Sequence, residues 1–240
     1  MNKSICVTGA DRGLGLELTL NFLERGYTVF AGKYLAEWNE LDALAERYGD
    51  RIVPVQMDVS DDASIKRAGA FIADRTDKLD MLINNAGILI DRDVTVYDDL
   101  NFDHMIKEFN VNSVGPLRMT QALAGLLMNS ESKTIVNISS EAGQIRQPTR
   151  EGWYGYCMSK AALNIQSNIL HNHLKKEGGR VLVIYPGWMQ TYMNGTLDTT
   201  AELTSKQAAT YIADTIVRLG EAEIEDRPLF VNNKGEQMEW

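Results

Sequence analysis

Seven short apolar runs punctuate the chain, at Ser4–Val7, Thr28–Ala31, Ile52–Gln56, Met81–Ile83, Thr134–Ile138, Val181–Tyr185 and Leu229–Val231. Their brevity and Val/Ile content predict strands buried on both faces. The segments between them carry a different period. Leu14, Leu18 and Phe22 recur every four residues, with Leu16 and Leu20 on the neighbouring face, which predicts a helix that Gly26 ends. Asp58-Val-Ser-Asp-Asp62 reads as the start of another, capped by a serine or an aspartate. Longer helices are expected over Phe102–Met128 and Tyr154–Lys176, the first kinked at Gly115-Pro116 because Pro116 has no backbone donor. Strands alternating with helices imply right-handed crossovers and a mostly parallel sheet covered on both sides. The expected fold class is therefore α/β, a doubly wound three-layer sandwich with a seven-stranded parallel sheet. Without a linker, repeat or low-complexity tract, residues 1–240 are expected to form one domain.

Composition narrows the function classes. A chain that is 44% hydrophobic and 24% charged has the make-up of a soluble globular protein. A formal charge of −9 argues against nucleic-acid binding but leaves room for a local basic pocket. No uninterrupted apolar run reaches the ~18 residues of a membrane span, and the first residues read as a strand, not as a signal peptide. Cys6 and Cys157 are the only cysteines, so a disulfide framework is not expected and a cytoplasmic, reduced setting is. His104, His171 and His173 do not make a metal site. The last two, two apart on a helix, face different ways, and solvated or capping roles are expected for them. The acidic run Glu221–Asp226 reads as a solvated loop.

Candidate chemistry begins at Thr8-Gly-Ala-Asp-Arg-Gly-Leu-Gly15, where the first strand meets the first helix. Gly9, Gly13 and Gly15 remove side chains where backbone must turn and approach a ligand. The helix start beyond them offers amides and a positive dipole end to a pyrophosphate. A tight turn is the bland alternative; the strand–turn–helix setting favours dinucleotide binding and a Rossmann-type sheet. Further on, Tyr156 precedes Lys160 by one helical turn, and Ser140 lies upstream in Asn-Ile-Ser-Ser-Glu-Ala-Gly. A lysine on the same face would favour the phenolate of a tyrosine, which titrates near ~10 when free. Such a pair could exchange a proton with a substrate oxygen that the serine hydroxyl binds.

Taken in order, these motifs resemble the short-chain dehydrogenase/reductase family over essentially the whole chain. Thr8–Gly15 is similar to its cofactor motif, Asn84-Asn-Ala-Gly87 to its second signature, and Pro186-Gly-Trp-Met-Gln-Thr191 to the segment that closes over a nicotinamide. Asn112, Ser140, Tyr156 and Lys160 fall at the family's catalytic positions. Within the family, Pro-Gly-Trp-x-x-Thr and the ending Asn233-Lys-Gly-Glu-Gln-Met-Glu-Trp240 resemble the C-factor-like and Sniffer-like carbonyl reductases.

The resemblance implies an oxidoreductase that moves a hydride between NADP(H) and a carbonyl or alcohol substrate, without a metal. Tyr156 would be general acid or base. Lys160 would lower its pKa and bind the nicotinamide ribose. Ser140 would polarise the substrate oxygen, with Ser139 as the adjacent alternative, and Asn112 would hold a water linking Lys160 to a proton path. A kink role beside Gly115-Pro116 is the alternative for Asn112. Cofactor contacts are expected from Gly9, Arg12, Gly13, Leu14, Gly15, Lys33, Asp58, Val59, Asn85, Ala86, Gly87, Pro186, Gly187, Met189 and Thr191, besides Tyr156 and Lys160. Because the second strand ends in Phe30-Ala-Gly-Lys33 with no carboxylate, Arg12 and Lys33 favour NADP(H) over NAD(H), unless both are solvated. Asp58 would accept from the adenine amino group or cap a helix.

Residues 191–203 fall where the family has a substrate lid. Trp153, Met189, Tyr192, Met193 and Leu197 are candidate pocket residues, with Trp188 either packing or contact. Gln144–Gly152 makes the Ser140–Tyr156 interval longer than in many family members, which leaves substrate and assembly, monomer or homo-oligomer, open. The rival class is a dinucleotide-binding sensor on the same fold with little turnover.

Overall fold

The side chains of each strand divide between two cores, one on either face of the sheet. Ile5, Val29, Met81, Val136, Leu182 and Val231 point to one; Cys6, Phe30, Leu82, Ile135, Val183 and Phe230 point to the other. In a computed structural model that describes residues 3–35, 37–146, 149–193 and 196–240, these strands form one seven-stranded sheet in the order β3-β2-β1-β4-β5-β6-β7. The strands are β1 (Ser4–Val7), β2 (Thr28–Lys33), β3 (Ile52–Gln56), β4 (Met81–Asn84), β5 (Thr134–Ile138), β6 (Arg180–Tyr185) and β7 (Leu229–Asn232). Every pairing is parallel. The fold is a Rossmann-like α/β sandwich, and every apolar run read from the sequence is a strand within two residues of its expected bounds.

Helices α1 (Gly13–Glu24), α2 (Glu40–Tyr48) and α7 (Ser205–Gly220) cover the first core through Leu14, Leu18, Phe22, Leu41, Ile212 and Ile216. Helices α3 (Asp62–Ala73), α5 (Gly115–Met128) and α6 (Tyr154–Leu174) cover the second, with Ile65, Ile72, Met119 and Leu123 fully packed. Helix α4 (Phe102–Phe109) lies against α6. Asp61 caps α3 by accepting from the amides of Ala63 and Ser64, which settles the cap at an aspartate. Neither α2 nor α7 was singled out by apolar spacing. The signal for α7 is the reciprocal bonding of Thr204 and Gln207, a capping box three residues apart.

The expected continuous helix Phe102–Met128 is in fact interrupted. A π-helical turn, Asn110–Val114, separates α4 from α5, and Pro116 sits in the first turn of α5. The break therefore takes the form of a wider turn immediately before Gly115-Pro116, at the carbonyls that a proline at 116 leaves without its donor. Gly115 has its own role, since a Cβ there would meet Val59 at 3.0 Å.

The chain runs outward from β1 to β3 and then returns to place β4 on the other side of β1. That reversal is a topological switch point, where the carboxyl ends of parallel strands open a crevice.

Candidate active site

The glycine loop follows β1 into this crevice and is held from β4. The Thr8 hydroxyl accepts from the amides of Asn85 and Ala86, both at 3.0 Å. The Asn85 amide group donates back to the carbonyls of Thr8 and Gly9, at 2.9 and 3.0 Å. Gly9 and Gly13 adopt φ of 61° and 55°, the left-handed region that favours glycine. At Gly15 the requirement is space: a Cβ would strike the Gly9 carbonyl and come within 2.5 Å of the Asn85 amide nitrogen. No side chain caps α1, and its first turn carries no acid. The one buried carboxylate of the loop, Asp11, is turned away to accept from the Leu35 amide. Helix-start amides, a positive dipole end and glycines too crowded for a Cβ together fit a dinucleotide phosphate.

Ser140, Tyr156 and Lys160 gather at the end of β5 and the start of α6. All three are buried. Gly143 lets them meet, because a Cβ there would lie 2.8 Å from the Lys160 backbone. The hydroxyl of Ser139 turns the other way and donates to Asn164 at 2.7 Å, as alternation beyond a strand requires, and this leaves Ser140 toward the crevice. Ser140 Oγ accepts from the Ala142 amide and donates to Glu141 at 2.8 Å. Lys160 Nζ donates to the Ile138 carbonyl at 2.9 Å, and burial pulls its pKa down to about 8. A Cβ on Gly87 would lie 3.3 Å from Asn112 Oδ1 and 3.6 Å from Lys160 Nζ, so the two groups converge over that glycine.

Asn112 lies in the π-helical turn with its side chain committed. Oδ1 accepts from the Ile88 amide at 2.8 Å, while Nδ2 donates to the Ile88 carbonyl and to Ser159 Oγ. Ser159 in turn donates to the Tyr156 carbonyl, and Ser113 donates to the Ser159 carbonyl at 2.6 Å. The asparagine thereby ties the loop after β4 to α6, and it holds Tyr156 and Lys160 in place through Ser159. Ser113 and Ser159 were not singled out beforehand, since polar residues inside a helix carry no signal of which neighbour they will face.

The structure corrects several expectations. Against the expected acidification of Tyr156 by Lys160, burial pushes its pKa well above the ordinary phenol range; the Ser140 hydroxyl partly offsets the rise and Glu141 adds to it. The Leu14 and Val59 side chains belong to the cores. Asp58 does not cap α3; its Oδ1 accepts from the amide and hydroxyl of Ser60. Lys33 pairs with Asp42 at 3.4 Å. Arg12 is not simply solvated, since its guanidinium stacks 5.2 Å from the centre of Trp38. Tyr192 faces that same Trp38, edge-on at 5.3 Å, on the glycine-loop side of the crevice. Met189 packs on the first core and bridges to Leu203, while Asn233, just past β7, donates to the Pro186 carbonyl. Thr191 accepts at its carbonyl from the Asp198 amide. Within the expected lid, Asn194 and Gly195 lie outside the described residues.

His171, expected to be solvated or capping, is buried; it receives the Val181 amide at Nδ1 and reaches the Glu225 carbonyl through Nε2. The acidic run is thus anchored through its backbone. Among the described residues no group of three or more His, Cys, Asp and Glu side chains could hold a metal ion, and no helix is long and apolar enough to cross a membrane.

The short chain dehydrogenase family profile matches residues 3–202. The chain belongs to that family. Its fold superposes on the NADPH-bound carbonyl reductase from chicken fatty liver with a TM-score of 0.88, at 30% identity over 100% of this chain and 99% of that one. The carbonyl reductase Sniffer of D. melanogaster superposes at 0.87, with 25% identity and both chains wholly covered. C-signal of Myxococcus xanthus is 35% identical over 120 residues, half of this chain and 71% of that one. The chain is therefore an oxidoreductase-family member with C-factor-like and Sniffer-like relatives.

Proposed function

We propose that the protein is an NADP(H)-dependent carbonyl reductase, acting on small carbonyl compounds or, in reverse, on alcohols. One observation carries the reading: Ser140, Tyr156 and Lys160 stand buried together beside a glycine loop whose helix start is free of any capping side chain. The bound nicotinamide dinucleotide would supply or accept the hydride. Gly9, Gly13 and Gly15 would cradle its pyrophosphate, and Asn85–Gly87 together with Pro186–Thr191 would flank it further along the crevice. Arg12 would take the 2′-phosphate from its place on Trp38, with Lys33 nearby. The NADPH-bound chicken enzyme, alike over its whole length, supports that choice.

Burial keeps Tyr156 as a neutral phenol, which suits it to donate its proton to a carbonyl oxygen that gains charge on reduction. Lys160, buried and bonded to the Ile138 carbonyl, stands a helical turn behind it to pass on a replacement proton. The Ser140 hydroxyl has one proton to give, and Glu141 now takes it; binding of a substrate oxygen requires the serine to turn from Glu141. Arg150, paired with the same carboxylate, can retain it when Ser140 lets go.

Titration of the purified protein with NADPH and with NADH, followed by turnover on a panel of aldehydes, ketones and quinones, tests the reading. Tighter binding of NADPH and reduction of at least one class are expected. Tighter binding of NADH would refute the role given to Arg12, and binding with no turnover would favour a dinucleotide sensor.

A further inference from the structure

At the mouth of the site a guanidinium, that of Arg92, has no carboxylate partner among the described residues. Trp153 starts α6 in a left-handed conformation, φ 63°, and its indole stands edge-on to Tyr156 with ring centres 6.0 Å apart. Two guanidinium groups flank this indole, Arg150 at 4.1 Å and Arg92 at 4.8 Å from its centre. They differ in what else they hold. Arg150 is ion-paired with Glu141. Arg92 pairs with no carboxylate among the described residues, and its Nε is buried without a hydrogen-bond partner.

Three acids near Arg92 are engaged by other groups, and Asp93, next to it in the chain, is exposed. Asp91 binds His104 at 3.0 Å, and Glu108 accepts from the Ile90 amide at 2.7 Å. Asp198, on the lid, is held by the amide and hydroxyl of Thr200; Arg92 reaches it only through its field. A buried guanidinium N–H left unsatisfied is costly, and a protein of net charge −9 has carboxylates to spare. The segment carrying Arg92 is nonetheless fixed: the carbonyls of Arg92 and Val94 lie 2.8 and 3.0 Å from where a Gly152 Cβ would be, and Glu108 bonds the loop to α4.

We propose that Arg92, seated on Trp153, receives the carboxylate of the substrate, so that the substrate class is short oxo acids whose carbonyl lies at Tyr156 and Ser140. The guanidinium can stand no farther from the phenol ring than the two separations laid end to end, which suits an acid group a few bonds from the reacting carbon. A guanidinium fork binds a carboxylate through paired hydrogen bonds, and the indole face beneath it keeps water off one side. The inference rests on the reductase reading, and its test is arranged so that the two can fail separately.

Calorimetric titration with 3-benzoylpropanoate and with its methyl ester, on protein with and without NADP⁺, reads anion recognition in the absence of any hydride to transfer. The acid is expected to bind about tenfold tighter than the ester or better, as a charge-assisted bond implies. Arg92→Gln should bring that ratio to about one, and Arg92→Lys should restore part of it. Arg150→Gln should change it less, its charge being already met by Glu141. A purely structural role for Arg92 would weaken both ligands alike and leave the ratio standing. Equal binding of acid and ester by the unaltered protein, or a ratio that survives Arg92→Gln, overturns the inference whatever the turnover. A discriminating site that never reduces the acid with NADPH would instead count against the reductase reading.

Discussion

The two halves of the crevice are built from different materials. On the β1–β4 side the glycine loop presents backbone amides, locked by uncharged bonds among Thr8, Gly9, Asn85 and Ala86, with Arg12 beside them on Trp38. On the β5–β6 side they are side chains in a charged setting, where Ser140, Tyr156 and Lys160 share space with Glu141, Arg150 and Arg92. Backbone donors cannot change protonation or turn away, so the first half is a fixed mould. The second half is adjustable: its hydroxyl is pledged to a rival carboxylate and two of its groups have displaced pKa values. Under the proposed function, the first half would hold one unvarying cofactor and the second would serve a changing substrate.

Variants on either side should therefore fail differently. The largest effect is expected from Tyr156→Phe, which removes the proton donor and little else. Turnover should fall by about 10³-fold or more, with cofactor affinity within a few fold of the parent; steady-state rates beside fluorescence titration of NADPH measure both. Comparable loss of affinity would erase the contrast between the halves. Gly15→Ala attacks the mould instead. A methyl group forced against the Gly9 carbonyl and the Asn85 amide should weaken cofactor binding on the order of a hundredfold and leave the groups around Tyr156 untouched.

Lys160→Met tests how far the adjustable half is held against its own stability. A lysine pKa pulled from 10.5 to about 8 corresponds to a burial cost on the order of 3 kcal/mol near neutrality. An orphaned Ile138 carbonyl would offset roughly 1–2 kcal/mol of the gain from removing it. The cofactor-free variant should thus be the more stable at pH 7. Between about 8 and 10.5 the unfolded lysine still binds its proton and the folded one does not, so the parent gains stability as pH rises and the gap closes. Urea unfolding at pH 7 and pH 10.5 reads this directly, and a gap that ignores pH would refute a buried charge. The smallest effect is expected from Glu141→Gln. Loss of a carboxylate that raises the Tyr156 pKa should move the pH profile of alcohol oxidation to lower values, since that direction needs the phenolate.

Much of this was legible without coordinates. Runs such as Ile5-Cys6-Val7 and Val181–Ile184 are apolar throughout because both sheet faces are covered, and a continuous apolar run of that length is a local signal. The glycine loop was legible because its spacing answers a local demand of the backbone. Residues whose roles depend on a distant partner were not. Nothing near Asn112 announces Ser159, 47 positions on, and nothing near Arg92 announces Trp153. Lys160 shows the same limit in its energetics: its position one turn from Tyr156 follows from the helix, but its charge state follows from burial that no local pattern encodes.

By itself, then, the sequence determined the seven strands and the glycine turn after the first of them, since each follows from apolar runs or spacing within a single element, while the candidate site residues were named position by position through resemblance to a family. Tertiary structure alone decided that burial raises the Tyr156 pKa, that Ser140 donates to Glu141, and that Arg92 lies on Trp153 with no carboxylate partner among the described residues. Those properties are set by desolvation and by charges from separate elements, and such charges meet only once the sheet has brought its strand ends together.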